Sequence, residues 1–155
     1  MSHINELKDA INTKTVNFVL LTIATAGIYP ILWLYRCSPI IEKITTKKLT
    51  DGTFVIWLAV CIGLGKSLIG SGEEALDIIA GILTIASAVL YIVWAFKAKS
   101  AIEEFALNEY RIDLRMNGFY TLFLTIFYIN YCINDLPEAK RRQEILAGKE
   151  NHSQQ

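Results

Sequence analysis

The chain has 155 residues, of which 53% are hydrophobic and only 19% charged, and its mean hydropathy is +0.36. A soluble domain of this size cannot cover itself with so little polar surface, so one membrane domain is expected at 1–134, followed by a cytoplasmic-type segment at 135–155. Lys plus Arg and Asp plus Glu balance at 15 each, which excludes a charge-driven affinity for nucleic acid or for an acidic substrate.

Ile4, Leu7 and Ile11 stand at helical spacing and predict a surface helix at the start of the chain. Four apolar runs follow, at about 16–35, 53–70, 75–96 and 117–134, each near the roughly 20 residues a helix needs to cross a ~30 Å hydrocarbon core. The expected fold class is therefore all-α: an integral membrane helical bundle with a central two-helix hairpin, two outer membrane-embedded segments and amphipathic juxtamembrane helices. The first run is too long for a signal-peptide core and has no small-residue cleavage site, so it is expected to stay in the protein. Within it, Gly27 suits a helix C-terminus and Pro30 the first turn of a new helix. The run is then either two arms around a break or one kinked helix.

Trp33-Leu34-Tyr35-Arg36 aligns with Trp94-Ala95-Phe96-Lys97, and at the same register Ile41-Glu42-Lys43-Ile44 aligns with Ile102-Glu103-Glu104-Phe105. This predicts an internal repeat in which an apolar segment with an aromatic end steps through a basic residue into an amphipathic helix. The next apolar segments open at Gly52-Thr53-Phe54 and Gly118-Phe119-Tyr120. The carboxylates of Glu42, Glu103 and Glu104 are expected on solvated faces.

Runs two and three are joined by Ser71-Gly72-Glu73-Glu74, a short turn with no basic residue, whereas the flanking loops carry Arg36, Lys43, Lys47, Lys48, Lys97, Lys99, Arg111 and Arg115. The positive-inside rule places those loops in the cytoplasm and makes runs two and three a hairpin, with Glu73, Glu74 and Asp77 at the N-terminus of the second helix. Lys66 and Asp77 each lie about five residues, roughly 8 Å, from the centre of the turn and form a candidate intramembrane ion pair. The competing reading has Lys66 snorkelling and Asp77 capping. Small residues at Ala59 and Gly63, and at Ala80, Thr84 and Ala88, are candidate close-packing faces, within the hairpin or between copies.

If the outer runs cross the bilayer, both basic tails face outward; if both enter and return, every Lys and Arg other than Lys66 is cytoplasmic. In the fourth run, Asn130 and Asn134 interrupt the apolar pattern and Tyr120, Tyr128 and Tyr131 form a tyrosine-rich face. A helix from Pro137 to Leu146, closed by Gly148, and a polar disordered tail from Lys149 to Gln155 are expected to end the chain.

Motifs for chemistry fail on inspection. Gly65-Lys66-Ser67 lacks the upstream glycine of a phosphate-binding loop, since Val60 stands there, and it lies inside an apolar run. Glu103-Glu104 has Asn108 where an intramembrane glutamic-type protease would have arginine. His3 and His152 are both in the tails. Cys37, Cys61 and Cys132 are few and far apart, so neither a disulfide framework nor a metal site is expected. No catalytic, metal or cofactor site is predicted, and the protein is not expected to be an enzyme.

The run Thr25-Ala26-Gly27-Ile28-Tyr29-Pro30-Ile31-Leu32-Trp33 resembles the T-x-G-I-Y-x-x-x-W signature of a family of small bacterial membrane proteins whose domain has no assigned function. Phe127-Tyr128-Ile129-Asn130-Tyr131-Cys132-Ile133-Asn134 resembles that family's closing pattern, and Pro30 is a departure from it. The resemblance implies a multi-pass bundle in the bacterial inner membrane and implies no reaction or ligand. The expected function is non-enzymatic: interaction with partner helices or with the lipid bilayer, as a membrane protein's partner or a homo-oligomer, in phage exclusion, toxin immunity or a membrane-effector role. The alternative is an oligomeric channel or carrier lined by Lys66, Ser67, Asp77, Thr84 and Ser87.

Overall fold

The computed structural model describes the backbone of residues 3–153 and the side chains of residues 7–145. Six helices follow one another with no strand among the described residues: α1 His3–Ile11, α2 Thr15–Ala24, α3 Tyr29–Thr45, α4 Phe54–Leu68, α5 Glu74–Tyr110 and α6 Gly118–Ser153. One of them, α5, is long and apolar enough to cross a membrane by length and composition, and α4 is apolar but shorter. The helix expected at the start of the chain is α1, whose Leu7 and Ile11 are buried against α3 and α6. The side chain of Ile4 lies outside the described residues.

The first apolar run is two helices around a break, and the second returns along the first. Phe18 on α2 packs on both Tyr29 and Trp33 of α3, at ring distances of 5.6 and 4.9 Å. Farther from the break, Arg36 donates to the Ile11 carbonyl at 2.9 Å. A continuous helix over this stretch would hold residues 11 and 36 about 37 Å apart. The reversal starts from how α2 ends. The Gly27 N–H reaches back to the Thr22 carbonyl and the Ala26 N–H to the Ile23 carbonyl, a Schellman ending that requires left-handed backbone. Ala26 and Gly27 supply it at φ of 50° and 85°.

The last apolar run is broken as well, at Thr125, with φ of 41° and ψ of −115°. The Asn117 N–H donates to the Tyr128 hydroxyl at 2.9 Å, although a straight helix would separate these residues by about 16 Å. The first arm of α6 (118–124) therefore folds back on the second (126–153). The second arm lies antiparallel to α2, with Phe127 on Phe18 at 4.8 Å, Asn130 donating to Thr15 and Asn134 to the Thr13 carbonyl. Asn130 and Asn134, the polar interruptions of this run, sit inside the helix and find partners for their amides in Thr15 and Thr13. The expected C-terminal helix is continuous with this arm through Pro137. Gly148 does not close it, because a helix-interior glycine costs only about 1 kcal/mol, and α6 continues to Ser153 where a disordered tail was expected. Residues 154–155 lie outside the described residues.

The amphipathic segments beyond Arg36 and Lys97 are direct continuations of α3 and α5, because no backbone break separates them from the apolar part. In the α4–α5 hairpin the close face is Gly65: a Cβ there would stand 3.4 Å from Thr84 Oγ1 and 3.5 Å from the Ala80 carbonyl. Of the two alternatives, Ala80 and Thr84 thus pack within the hairpin, and their partner is Gly65 rather than Ala59 or Gly63, which are exposed.

The strain at the first break is divided between two neighbours and yields opposite predictions. Gly27→Ala puts a second non-glycine residue in the left-handed region, with a Cβ 3.4 Å from Lys66 Nζ, and should lower stability by about 1–2 kcal/mol. Ala26→Gly relieves an existing penalty and should leave stability unchanged or raise it by up to about 1 kcal/mol, as read by thermal unfolding in detergent.

Candidate functional site

Both breaks open onto one cavity of about 470 Å³, lined from five helices. Thr22 and Gly27 come from the end of α2, Pro30 from the start of α3, Lys66 from α4, Ser87 and Tyr91 from α5, and Thr125 and Ile126 from the break in α6. Lys66 is the only ionisable side chain apart from Tyr91 in this lining. Its ammonium donates to the Ala26 carbonyl, one of the backbone acceptors left by the end of α2. A cation is favoured at a helix C-terminus.

The expected Lys66–Asp77 ion pair is not formed. Asp77 Oδ1 accepts the Gly70 N–H at 2.8 Å and closes the turn of the hairpin, while Lys66 points across to α2. The two residues share a depth, but counting from a turn says nothing about which side of a helix a residue occupies. The hydroxyls of Thr22, Thr84 and Ser87 donate to carbonyls of their own helices, those of Phe18, Ala80 and Thr84. They line the cavity without leaving an orphan donor.

The signature residues build the break that faces this cavity. Thr25 Oγ1 accepts the Tyr29 N–H at 2.9 Å and so caps α3, satisfying a donor that helix starts leave free. Gly27 carries the positive φ. Tyr29 and Trp33 pack on Phe18, whereas Ile28 is exposed and serves as the residue from which α3 departs. Trp33 also meets Trp94 edge to face at 5.9 Å, and Trp94 Nε1 donates to Ser38 Oγ at 2.9 Å within the core. Trp33 Nε1 is buried without a partner. The closing motif has a parallel role: Tyr128 holds the turn before α6 and stacks on Tyr131, and Asn134 ties α6 to Thr13.

Glu42 and Glu103 are half-buried and bonded to backbone rather than lying free on solvated faces. Glu42 Oε1 accepts the Leu49 and Thr50 N–H groups at 2.8 and 2.9 Å, and Glu103 Oε1 accepts the Met116 N–H at 2.7 Å. Each carboxylate anchors the loop that precedes the next apolar helix, and each anchored residue, Leu49 or Met116, is buried. Backbone donors drawn into the core must find acceptors, and a carboxylate on the preceding helix supplies one. Glu104 pairs with Lys47 at 2.7 Å. At the register that aligns Trp33 with Trp94, the pairs Leu34/Ala95, Cys37/Ala98, Ile41/Ile102 and Thr45/Ala106 are buried in both stretches.

On the exposed loop after α3, the Lys48 hydrogen bond and charge hold the Asp51 carboxyl below its usual range. Cys37 is fully buried, and that burial pushes its thiol up to about 12 against the opposing charge of Arg36, so it is not an activated nucleophile. No cluster of His, Cys, Asp and Glu suited to a metal occurs among the described residues. Thr125, Phe18, Ser38 and the anchoring role of Glu42 and Glu103 escaped the sequence reading. For the two glutamates the signal was present, in their matching positions at the register that aligns Trp33 with Trp94.

These features define an all-helical protein with one long apolar helix and two broken helices meeting at a lysine. Residues 13–104 match the family described as a domain of unknown function, DUF4234, and the chain belongs to that family. No curated protein and no solved structure was found to match it.

The two tryptophans should respond differently to removal of the indole N–H. Trp94→Phe loses the bond to Ser38 and should cost about 1–2 kcal/mol of unfolding free energy, whereas Trp33→Phe frees a buried unpaired donor and should cost less, despite the shared aromatic contact. Paired chemical denaturation of the two variants measures the difference.

Proposed function

We propose that this chain is a multi-pass, non-enzymatic protein of the bacterial inner membrane that acts through helix, partner or lipid contacts. The observation that carries the reading is a segregation of charge from apolar surface. The two fold-backs bring α1, the loops at 46–53 and 111–117 and the far part of α6 to one pole. Contacts there link Arg36 to Ile11, Lys47 to Glu104, and Gln143 to the Arg111 carbonyl. Every Lys and Arg among the side chains described, apart from Lys66, belongs to this pole.

Away from that pole, large apolar side chains stand exposed, including Ile23 at 73%, Trp57 at 63% and Ile85 at 67%. Water would penalise such a continuous surface, whereas hydrocarbon accommodates it. On this reading α4 and the apolar part of α5 span the bilayer, and the α2–α3 and α6 hairpins enter from the cytoplasmic side and return to it. The coincidence of buried positions and of the Glu42 and Glu103 anchors supports an internal repeat. Phage exclusion, toxin immunity or a membrane-effector role is the biological setting this architecture suits. The channel or carrier reading loses its main support, because Lys66 and Asp77 are each engaged with backbone rather than with each other.

Accessibility of single cysteines in intact cells tests this topology. In a Cys-free background, a reporter at Ser71 should label with an impermeant reagent from outside. Reporters at Asp9, Lys48, Asp113 and Arg141 should label only after the membrane is opened. External labelling at Asp9 and Arg141 would mean four plain spanning helices and would contradict the reading.

A further inference from the structure

We propose that the cavity around Lys66 binds an anionic amphiphile, with a carboxylate or phosphate head group against the Lys66 ammonium and an alkyl tail along the apolar wall. The proposal rests on the membrane-embedded reading. Three properties of the cavity carry it. Its volume, about 470 Å³, falls in the range of small-molecule pockets and far exceeds the room one water needs. Its wall is asymmetric: Ile62, Ile69, Ile126 and Phe127 are apolar, and the ammonium stands among them.

The third property is the sign of its potential. No carboxylate lines the cavity, neither Glu73 nor Glu74 of the adjoining turn, and Asp77 is turned to the Gly70 N–H. An ammonium has three donors, and the Ala26 carbonyl takes one. The remaining donors, adjoining hydrocarbon, are costly to leave without an acceptor, which an anion supplies. The starts of α3 at Pro30 and of the second α6 arm at Ile126 reach the same cavity as the ends of α2 and α4, so the opposed helix dipoles offset one another and the ammonium of Lys66 sets the sign. A metal cation is disfavoured there by the same field.

Native mass spectrometry of the full chain in non-ionic detergent tests this with four probes: oleate, dioleoyl phosphatidylglycerol, dioleoyl phosphatidylcholine and inorganic phosphate. The expected result is that oleate or phosphatidylglycerol is retained at least about tenfold better than phosphatidylcholine or phosphate alone. Lys66→Met should abolish that preference and Lys66→Arg should keep it. Thr22→Leu, which fills the cavity while leaving Lys66 and Ala26 in contact, should reduce retention of the same probe and decides the matter if Lys66→Met does not fold. Preference for oleate identifies a free carboxylate amphiphile as the source, and preference for phosphatidylglycerol a bilayer head group. Equal retention of phosphatidylcholine, binding of phosphate alone, or undiminished binding by folded Lys66→Met or Thr22→Leu would overturn the proposal. External labelling at Ser71 together with such a negative result would remove the site and leave the topology standing.

Discussion

A helix that stops must dispose of the carbonyls at its end, and the rest of this structure depends on how α2 does so. Two of its acceptors are taken by the Schellman bonds from Ala26 and Gly27, and the exposed Ala26 carbonyl is taken by Lys66 from the neighbouring helix. The bond satisfies two costs together, an orphan acceptor at the break and a cation in an apolar helix. It also fixes the depth at which the returning pair α2–α3 meets α4. Thr25 completes the break from the other side by capping the start of α3.

With the breaks in place, the remaining architecture follows from satisfying backbone at one pole. A returning chain brings its loops to the level of the helix ends, where buried Leu49 and Met116 carry their amides into the core. Glu42 and Glu103 accept those amides. The core between the hairpins is aromatic, with Phe18 in contact with Tyr29, Trp33 and Phe127, so one side chain joins both fold-backs. Thr25, Gly27, Tyr29 and Trp33 thus supply a cap, a left-handed residue and two ring contacts, the parts that a reversal of helix direction requires.

How much of this was legible in the sequence differs from element to element for physical reasons. The α4–α5 hairpin was plain, because an apolar run whose single charge is Lys66 changes abruptly at Ser71-Gly72-Glu73-Glu74. The break at Gly27 and Pro30 was legible as one of two possibilities, since glycine and proline mark backbone that leaves the helix. The break at Thr125 was not, because threonine has no such preference. The Lys66–Asp77 pair failed for a geometric reason: sequence distance from a turn gives height along a helix, whereas the direction of Lys66 depends on where α2 ends. Glu42 and Glu103 were misjudged because their acceptors' partners lie in loops seven to thirteen residues away.

The central claim is that the first apolar run reverses direction at Ala26 and Gly27. It is tested most directly by a pulsed electron–electron resonance distance between nitroxide labels at exposed Asn12 and Tyr35 in the full chain reconstituted in bilayers. A reversal predicts a short distance, under about 20 Å including the label arms, whereas a continuous helix would place these positions about 35 Å apart along its axis. A single population near the longer distance would contradict the account, and with it the convergence of the two breaks on Lys66.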